Sequence, residues 1–389
     1  MAHNGSATKP IKVIHLITDL DCGGAEIMLQ RLLARMGKSE FTNRVVSLTQ
    51  DGPVGERLRA RGIAVHCLGM QPEKPDWRLV RCFAEELRRE KPDLLQTWMY
   101  HADLAGGVAA ALARVPVVWG LHNTTLSPQF SKSRTHFIVR CMALLSHILP
   151  VKIISCSTSA AAYHIKLGYD PKRMLVIPNG FDTAEFRPDA GLRKQVRREL
   201  DIPQEAFAAG CFARFDPQKD HRTLLAATGQ IAAQLPQFRL LLCGEGITED
   251  NPSLMGWIKA YGLETNVKLL GRRDDIPRLM AALDIYLSSS AYGEAFPLVI
   301  GEAMASGVPC VATDVGDSAE MIGDSGKVVP PGQADLLASA CLELLGLPPV
   351  TRIKMGLMAR QRVQELYELG TVTERYAAVY RSIISRGKG

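Results

Sequence analysis

The sequence contains no C-x-x-C pair, no G-x-G-x-x-G dinucleotide fingerprint and no recognised nucleic-acid motif or basic-aromatic alternation. Its nine cysteines, an odd number scattered from Cys22 to Cys341 with no accompanying His cluster, argue against both a disulfide framework and a zinc site. Reduced thiols follow. A secretory signal is also missing: Met1 to Pro10 is polar, and the apolar run after it, Ile11 to Thr18, reads as a buried strand. The expectation is a cytoplasmic protein that binds no nucleic acid.

What is present fits a two-domain enzyme. A chain of 389 residues exceeds what one hydrophobic core usually supports, and 47% hydrophobic with 22% charged residues is ordinary for a soluble globular fold. The net charge of +6 is uneven: residues 1–188 carry 24 Lys/Arg against 16 Asp/Glu, and the remainder 22 against 24. The first half therefore suits an anionic partner, phospholipid or phosphate-bearing substrate, unless its arginines only solvate helix faces.

Short apolar runs at Ile11–Thr18, Thr42–Thr49, Ala64–Leu68, Leu94–Thr97, Val115–Trp119 and Lys152–Ser155 alternate with helix-like stretches or loops. A second series follows at Ala208–Ala213, Arg239–Cys243, Val267–Leu270, Asp284–Ser288, Pro309–Ala312 and Lys327–Val329. Each series predicts a doubly wound parallel sheet with helices on both faces. Val176 to Asp182, rich in Pro, Asn and Gly, reads as the hinge. A single long polar helix, roughly Val350 to Ser385, is expected to pack across both domains. Domains of 1–178 and 179–370 result, with 371–389 crossing back to the first.

The candidate chemistry lies at strand ends. In Gly293-Glu294-Ala295-Phe296-Pro297-Leu298-Val299-Ile300-Gly301-Glu302, two carboxylates flank a loop that turns into a helix. Pro297 suits the first helical turn, where its missing N–H costs nothing, and the amides of Leu298 and Val299 would face an anion. Glu294 and Glu302 would then reach hydroxyls on either side of a phosphate. Arg214 and Lys219 sit five residues apart on a strand-to-helix turn and can neutralise a diphosphate together. Gly23 and Gly24 let backbone approach a phosphate or sugar closely. Asp19 and Asp21 form a D-x-D, a weak metal pattern beside a loop already occupied. His122 follows a strand directly, and His101 holds the analogous place one unit earlier.

These pieces resemble the retaining glycosyltransferases of the two-Rossmann-domain (GT-B) architecture, specifically the large bacterial family 4. The motifs are GGAE at 23–26, LHNT at 121–124, IPNGFD at 177–182, ARFDPQKD at 213–220, CGEG at 243–246, GRRDDIP at 271–277 and GEAFPLVIGEAMASGVPCVATDVG at 293–316. The resemblance implies an α/β fold of two doubly wound domains facing a central cleft. It places Glu294 on donor-sugar hydroxyls, Glu302 on the ribose, Arg214 and Lys219 on the diphosphate, Gly24 near the phosphate and His122 on the transferred sugar. Arg273 and Asp275 would lie beside the nucleobase, and Phe296, Leu298 and Val299 would complete the donor site. Ala213 and Pro297 stand where the family often has glycine.

The implied reaction moves a sugar from a nucleoside diphosphate sugar to an acceptor hydroxyl with retention, as in polysaccharide or glycolipid biosynthesis. Glu294, His122, Arg214 and Lys219 would carry it, with no metal or other cofactor. A nucleotide-sugar epimerase of the same architecture and a non-catalytic sugar-nucleotide sensor are the rival readings. Residues 131–152 combine cations with apolar surface, as peripheral membrane enzymes do, and Pro150 and Lys152 rule out a span. Docking on the inner leaflet near a lipid-linked acceptor is one expectation for this segment; an ordinary buried helix is the other.

Overall fold

Strand and helix alternate along the chain as its apolar runs require. The computed structural model describes residues 9–71, 76–124 and 133–386. Two compact units emerge, one of residues up to Gly180 and from Leu369 on, the other of Phe181–Glu368.

The first unit runs β1 (Ile11–Ile17), α1 (Gly24–Arg35), β2 (Phe41–Ser47), α2 (Pro53–Ala60), β3 (Ala64–Cys67), α3 (Trp77–Glu90), β4 (Leu94–Trp98), α4 (Tyr100–Ala113), β5 (Val117–Leu121), α5 (Ser133–Leu145), β6 (Lys152–Ser155), α6 (Thr158–Lys166) and β7 (Met174–Val176). All seven strands are parallel, in the order β3-β2-β1-β4-β5-β6-β7. The order reverses between β1 and β4, where open α/β sheets bind ligands beyond their carboxyl ends. The second unit runs α7 (Ala190–Glu199), β8 (Ala208–Phe212), α8 (His221–Gln234), β9 (Arg239–Cys243), α9 (Pro252–Ala260), β10 (Val267–Leu269), α10 (Ile276–Ala281), β11 (Ile285–Ser288), α11 (Leu298–Ala305), β12 (Cys310–Thr313), α12 (Ser318–Ile322), β13 (Lys327–Val329), α13 (Ala334–Gly346) and α14 (Pro349–Leu366). Its parallel sheet is ordered β10-β9-β8-β11-β12-β13, reversing between β8 and β11. The last helix, α15 (Leu369–Arg386), belongs to the first unit.

Both sheets bury apolar residues on two faces. In the first unit, Val13, Ile17 and Trp98 pack with α1 and with α15, whose Val372, Tyr376 and Tyr380 recur at the four-residue spacing of one helix face. Ile14, Leu16 and Trp119 face α3, α4 and α5 on the other side. Fully burying each such side chain contributes roughly 1.5–3 kcal/mol. In the second unit, α8, α9 and α13 close over β8, β9 and β11.

Three differences from the sequence reading have physical causes. The single long terminal helix is two, because the chain leaves helical geometry at Tyr367: its carbonyl accepts from Phe181 N (2.9 Å) and Glu368 bridges Phe181. A short strand, β7, stands where connection was expected and pairs with β6 at the sheet edge. β5 starts at Val117 and ends at Leu121, since Val115 N is held by Ala110 O at the exit of α4. His122 consequently follows the strand by one residue.

Candidate functional site

In the second unit the loops after β8 and β11, the pair that flanks the reversal in strand order, are sewn together. Asp216 begins a 3-10 turn at Pro217–Lys219 by accepting from Gln218 N (2.9 Å). Asp220, held at φ 45°, caps α8 through Thr223 N (3.1 Å). Ala291 N donates to Gln218 O (2.7 Å), and the Ser289 hydroxyl donates to Lys219 O (2.7 Å). These bonds set the Lys219 ammonium directly on the Glu294 carboxylate, an ion pair whose side chains are only 17% and 12% exposed. The Ser290 hydroxyl donates to the same Glu294 oxygen at 2.8 Å, while the Thr313 hydroxyl holds Ser290 O (2.6 Å). The structure thus brings Lys219 and Glu294 together.

Gly316 lets the loop after β12 close on this site. It sits at φ 62°, and a Cβ there would overlap the carbonyl oxygen of Glu294. Its neighbour Asp317 donates its amide to Ala295 O (3.0 Å).

Pro297 is the N-cap of α11 (φ −68°, ψ 108°) and not its first helical residue, as the sequence reading had it. The helix starts one residue later because Pro297 O already accepts from Ile300 N (3.2 Å). Leu298 and Val299 are the first two helical residues, so their amides are at the positive end of the helix. Glu302 lies five residues in and is 6% exposed. The Phe296 ring turns inward, stacked on Phe181 (6.1 Å between centroids) and edge-on to Tyr367 (5.2 Å), so only its backbone faces the loop.

Arg214 is half-exposed, its Nε 3.3 Å from Asp216 Oδ2. Arg273 and Asp275 form a two-pronged pair, Nε to Oδ1 and Nη2 to Oδ2, both 2.7 Å. Hydrogen bonding to Arg273 holds the Asp275 carboxyl below its usual range. Arg278 Nη1 adds a third donor to Asp275 at 3.1 Å.

In the first unit, Gly23 caps α1 with extended backbone (φ −94°, ψ 174°), and the space beside it is filled by the buried Glu26 carboxylate. The D-x-D carboxylates are used locally: Asp19 accepts from Asp21 N (3.2 Å) and Asp21 from Cys22 N (2.9 Å). No group of three or more His, Cys, Asp or Glu able to hold a metal occurs among the described residues. His122 is half-buried with its ring stacked on Trp98, centroids 5.0 Å apart and planes 22° apart. Burial lowers its pKa to about 4, so it is neutral near pH 7. His101 is exposed in the first turn of α4.

Sequence reasoning missed Ser290 and Trp98. The run Ser288-Ser289-Ser290 at the end of β11 is a signal for the first. Trp98 sits beside His122 only because β4 and β5 are neighbours in the sheet, which no local pattern announces.

The model described as Glycosyltransferase Family 4 matches residues 22–185, and the one described as Glycosyl transferases group 1 matches residues 206–346. The chain belongs to the family 4 glycosyltransferases. This glycosyltransferase is 26% identical over 314 residues to the putative glycosyltransferase EpsF of Bacillus subtilis (strain 168), covering 78% of this chain and 79% of that protein. It is 29% identical over 304 residues to the phosphatidyl-myo-inositol mannosyltransferase of Mycolicibacterium smegmatis (strain ATCC 700084 / mc(2)155), covering 76% of this chain and 72% of that one. The crystal structure of Anabaena Alr3699/HepE in complex with UDP and glucose superposes with a TM-score of 0.84 at 27% identity, covering 96% of this chain and 100% of that chain. The glycosyltransferase therefore has the GT-B fold, two Rossmann-like α/β units. The epimerase and sensor readings are not favoured by these matches.

Proposed function

We propose that this glycosyltransferase moves a hexosyl unit from a nucleoside diphosphate sugar to a hydroxyl of a glycan or lipid-linked acceptor, with retention at the anomeric carbon. The observation that carries the reading is the convergence of Lys219, Glu294, Ser290 and the amide end of α11 beside the reversal in strand order. When the donor enters, its diphosphate takes Lys219 away from Glu294 and gathers Arg214 and the Leu298 and Val299 amides. Glu294 is then released to the sugar hydroxyls, Glu302 meets the ribose, and Arg273 with Asp275 flanks the nucleobase. As the diphosphate departs, its growing negative charge is met by fixed cations and a helix terminus, with no metal or other cofactor required. The acceptor hydroxyl attacks from the face the diphosphate leaves, and a donor phosphate oxygen takes its proton. His122, neutral and apolar-backed, contacts the transferred sugar, and Gly23 and Gly24 meet the donor through main-chain atoms at the start of α1, the space beside Gly23 being taken by Glu26.

The enzyme works at the cytoplasmic face of a membrane in this reading. On α5 and the turn beyond it, Val139 and Met142 point inward, while Phe137, Leu144 and Ile148 are 68%, 75% and 73% exposed. An apolar outer face of this kind supports interfacial docking over an ordinary buried helix. Ser131 and Lys132, also part of the expected segment, lie outside the described residues. No single helix among the described residues is long and apolar enough to cross a membrane.

The test is incubation with UDP-, GDP- and ADP-sugars, without acceptor and then with a membrane lipid extract. Nucleoside diphosphate release and labelled sugar in the lipid phase are measured together. Donor-specific release with lipid labelling is expected; conversion of the sugar nucleotide without acceptor would refute transfer.

A further inference from the structure

We propose that Trp98 is a positioning residue for His122, held in place by a buried relay that runs from Asn43 through His15. This rests on the reading that His122 contacts the transferred sugar.

Trp98 ends β4 and is 0% exposed. Its indole Nε1 lies 3.4 Å from His15 Nδ1, and His15 Nε2 lies 3.1 Å from Asn43 Oδ1. An indole N–H only donates, so Nδ1 accepts, and the one proton of the neutral ring sits on Nε2 and donates to Asn43. The relay has a single direction, from Trp98 to His15 to Asn43. It fails if His15 is protonated, because the ring then has no acceptor for the indole. Burial works against that protonation, lowering the His15 pKa to about 4.

Two further features fix the stack. Met99, the residue after Trp98, has φ 70° and ψ 160°, a region other residues than glycine rarely occupy. Its amide donates to Gly120 O (2.9 Å), tying the end of β4 to β5 two residues before His122. The indole also lies 6.2 Å from the Tyr376 ring of α15 with planes 13° apart, and Tyr380 of the same helix donates to Gln96 Oε1 at 3.2 Å. Trp98 is therefore immobilised by β1, β2, β5 and α15 together, and the His122 ring lies against that surface.

A ring that sets the position of a sugar-contacting group acts on turnover more than on donor affinity, because the side chains proposed for the nucleotide, those of Arg214, Lys219, Arg273, Asp275 and Glu302, are in the other unit. Trp98→Leu is expected to lower kcat about tenfold to a hundredfold, the scale of a small misplacement, with donor KM changed less than about twofold. Trp98→Phe keeps an aromatic face but loses the indole N–H to His15, and is expected to lower kcat only about threefold to tenfold. His15→Phe, which removes the acceptor but keeps a ring, is expected to lower kcat about threefold to tenfold. In a His122→Ala background, neither Trp98→Leu nor His15→Phe should lower kcat further, because nothing remains to position. Multiplicative losses in that background, or wild-type kcat in folded Trp98→Leu, would overturn the proposal. If Trp98→Leu does not fold, Trp98→Phe and His15→Phe carry the same comparison. Wild-type kcat in His122→Ala alone would instead remove the role of His122, which this proposal needs.

Discussion

Replacing Lys219 with Met tests the donor site most directly, because the substitution keeps the stem and removes only the ammonium. That ammonium sits on Glu294 in a site where both side chains are under one-fifth exposed. A unit charge about 4 Å from a phosphate charge at an effective dielectric constant near 20 interacts by roughly 4 kcal/mol. Loss of one donor to a developing oxyanion costs about 2.7–4 kcal/mol, or a factor of about 10²–10³ in kcat. A second effect has the opposite origin. Without Lys219, the Glu294 carboxylate loses the ammonium on it, retains the Ser290 hydroxyl and repels the donor diphosphate, raising KM. Lys219→Met is therefore expected to damage both constants, and adding Glu294→Gln should restore part of KM while leaving kcat low. The assay is initial-rate release of nucleoside diphosphate across donor concentrations. A kcat within threefold of wild type in Lys219→Met would refute the assignment of the leaving-group charge to this residue.

Three other outcomes follow from the packing. His15 and His164 are both fully buried and titrate at about 4, whereas the unfolded chain protonates them near 6.5. As pH falls from 6.5 to about 4 the unfolded state gains protons that the folded unit refuses, so stability drops by about 3 kcal/mol per pH unit for the pair. Chemical denaturation from pH 7 to pH 5 should show that fall, and a flat profile would count against it. Arg197, with no side-chain exposure, spans Asp284 Oδ2 (2.6 Å) and the carbonyls of Ala282, Gln204 and Ala206. Arg197→Ala should destabilise the second unit by about 3–5 kcal/mol, seen as a Tm lower by about 10 °C or more. Replacing Phe137, Leu144 and Ile148 together with Ser should abolish sedimentation with anionic liposomes while leaving turnover on a water-soluble acceptor unchanged.

Much of the fold was legible because both sheets are buried on two faces. Their strands read as short apolar runs, and Arg239–Cys243, Lys152–Ser155 and Lys327–Val329 coincide with the observed bounds. The three-residue β7 was not, since its existence depends on the neighbouring edge of β6 rather than on its own composition. The break at Tyr367 was hidden for a related reason: the competitor for its carbonyl is Phe181, far away in sequence. At the site, charged residues at strand ends were readable one by one. Their partnership was not, because Lys219 meets Glu294 only through β8 and β11 lying side by side. The inward turn of Phe296 likewise needs Phe181 and Tyr367 to be known.

The break in the terminal helix has a topological consequence. Phe181, where the second unit begins, pairs with Glu368, where it ends, and in the first unit a Cβ on Gly180 would touch Leu369. Each unit thus has its two cut ends already together. The second unit is an insertion that enters and leaves through one doorway, and a gene encoding residues 181–368 alone begins and ends at neighbouring points. The first unit, joined from Gly180 to Leu369 by a short turn, retains α15 and with it the aromatic wall behind His122.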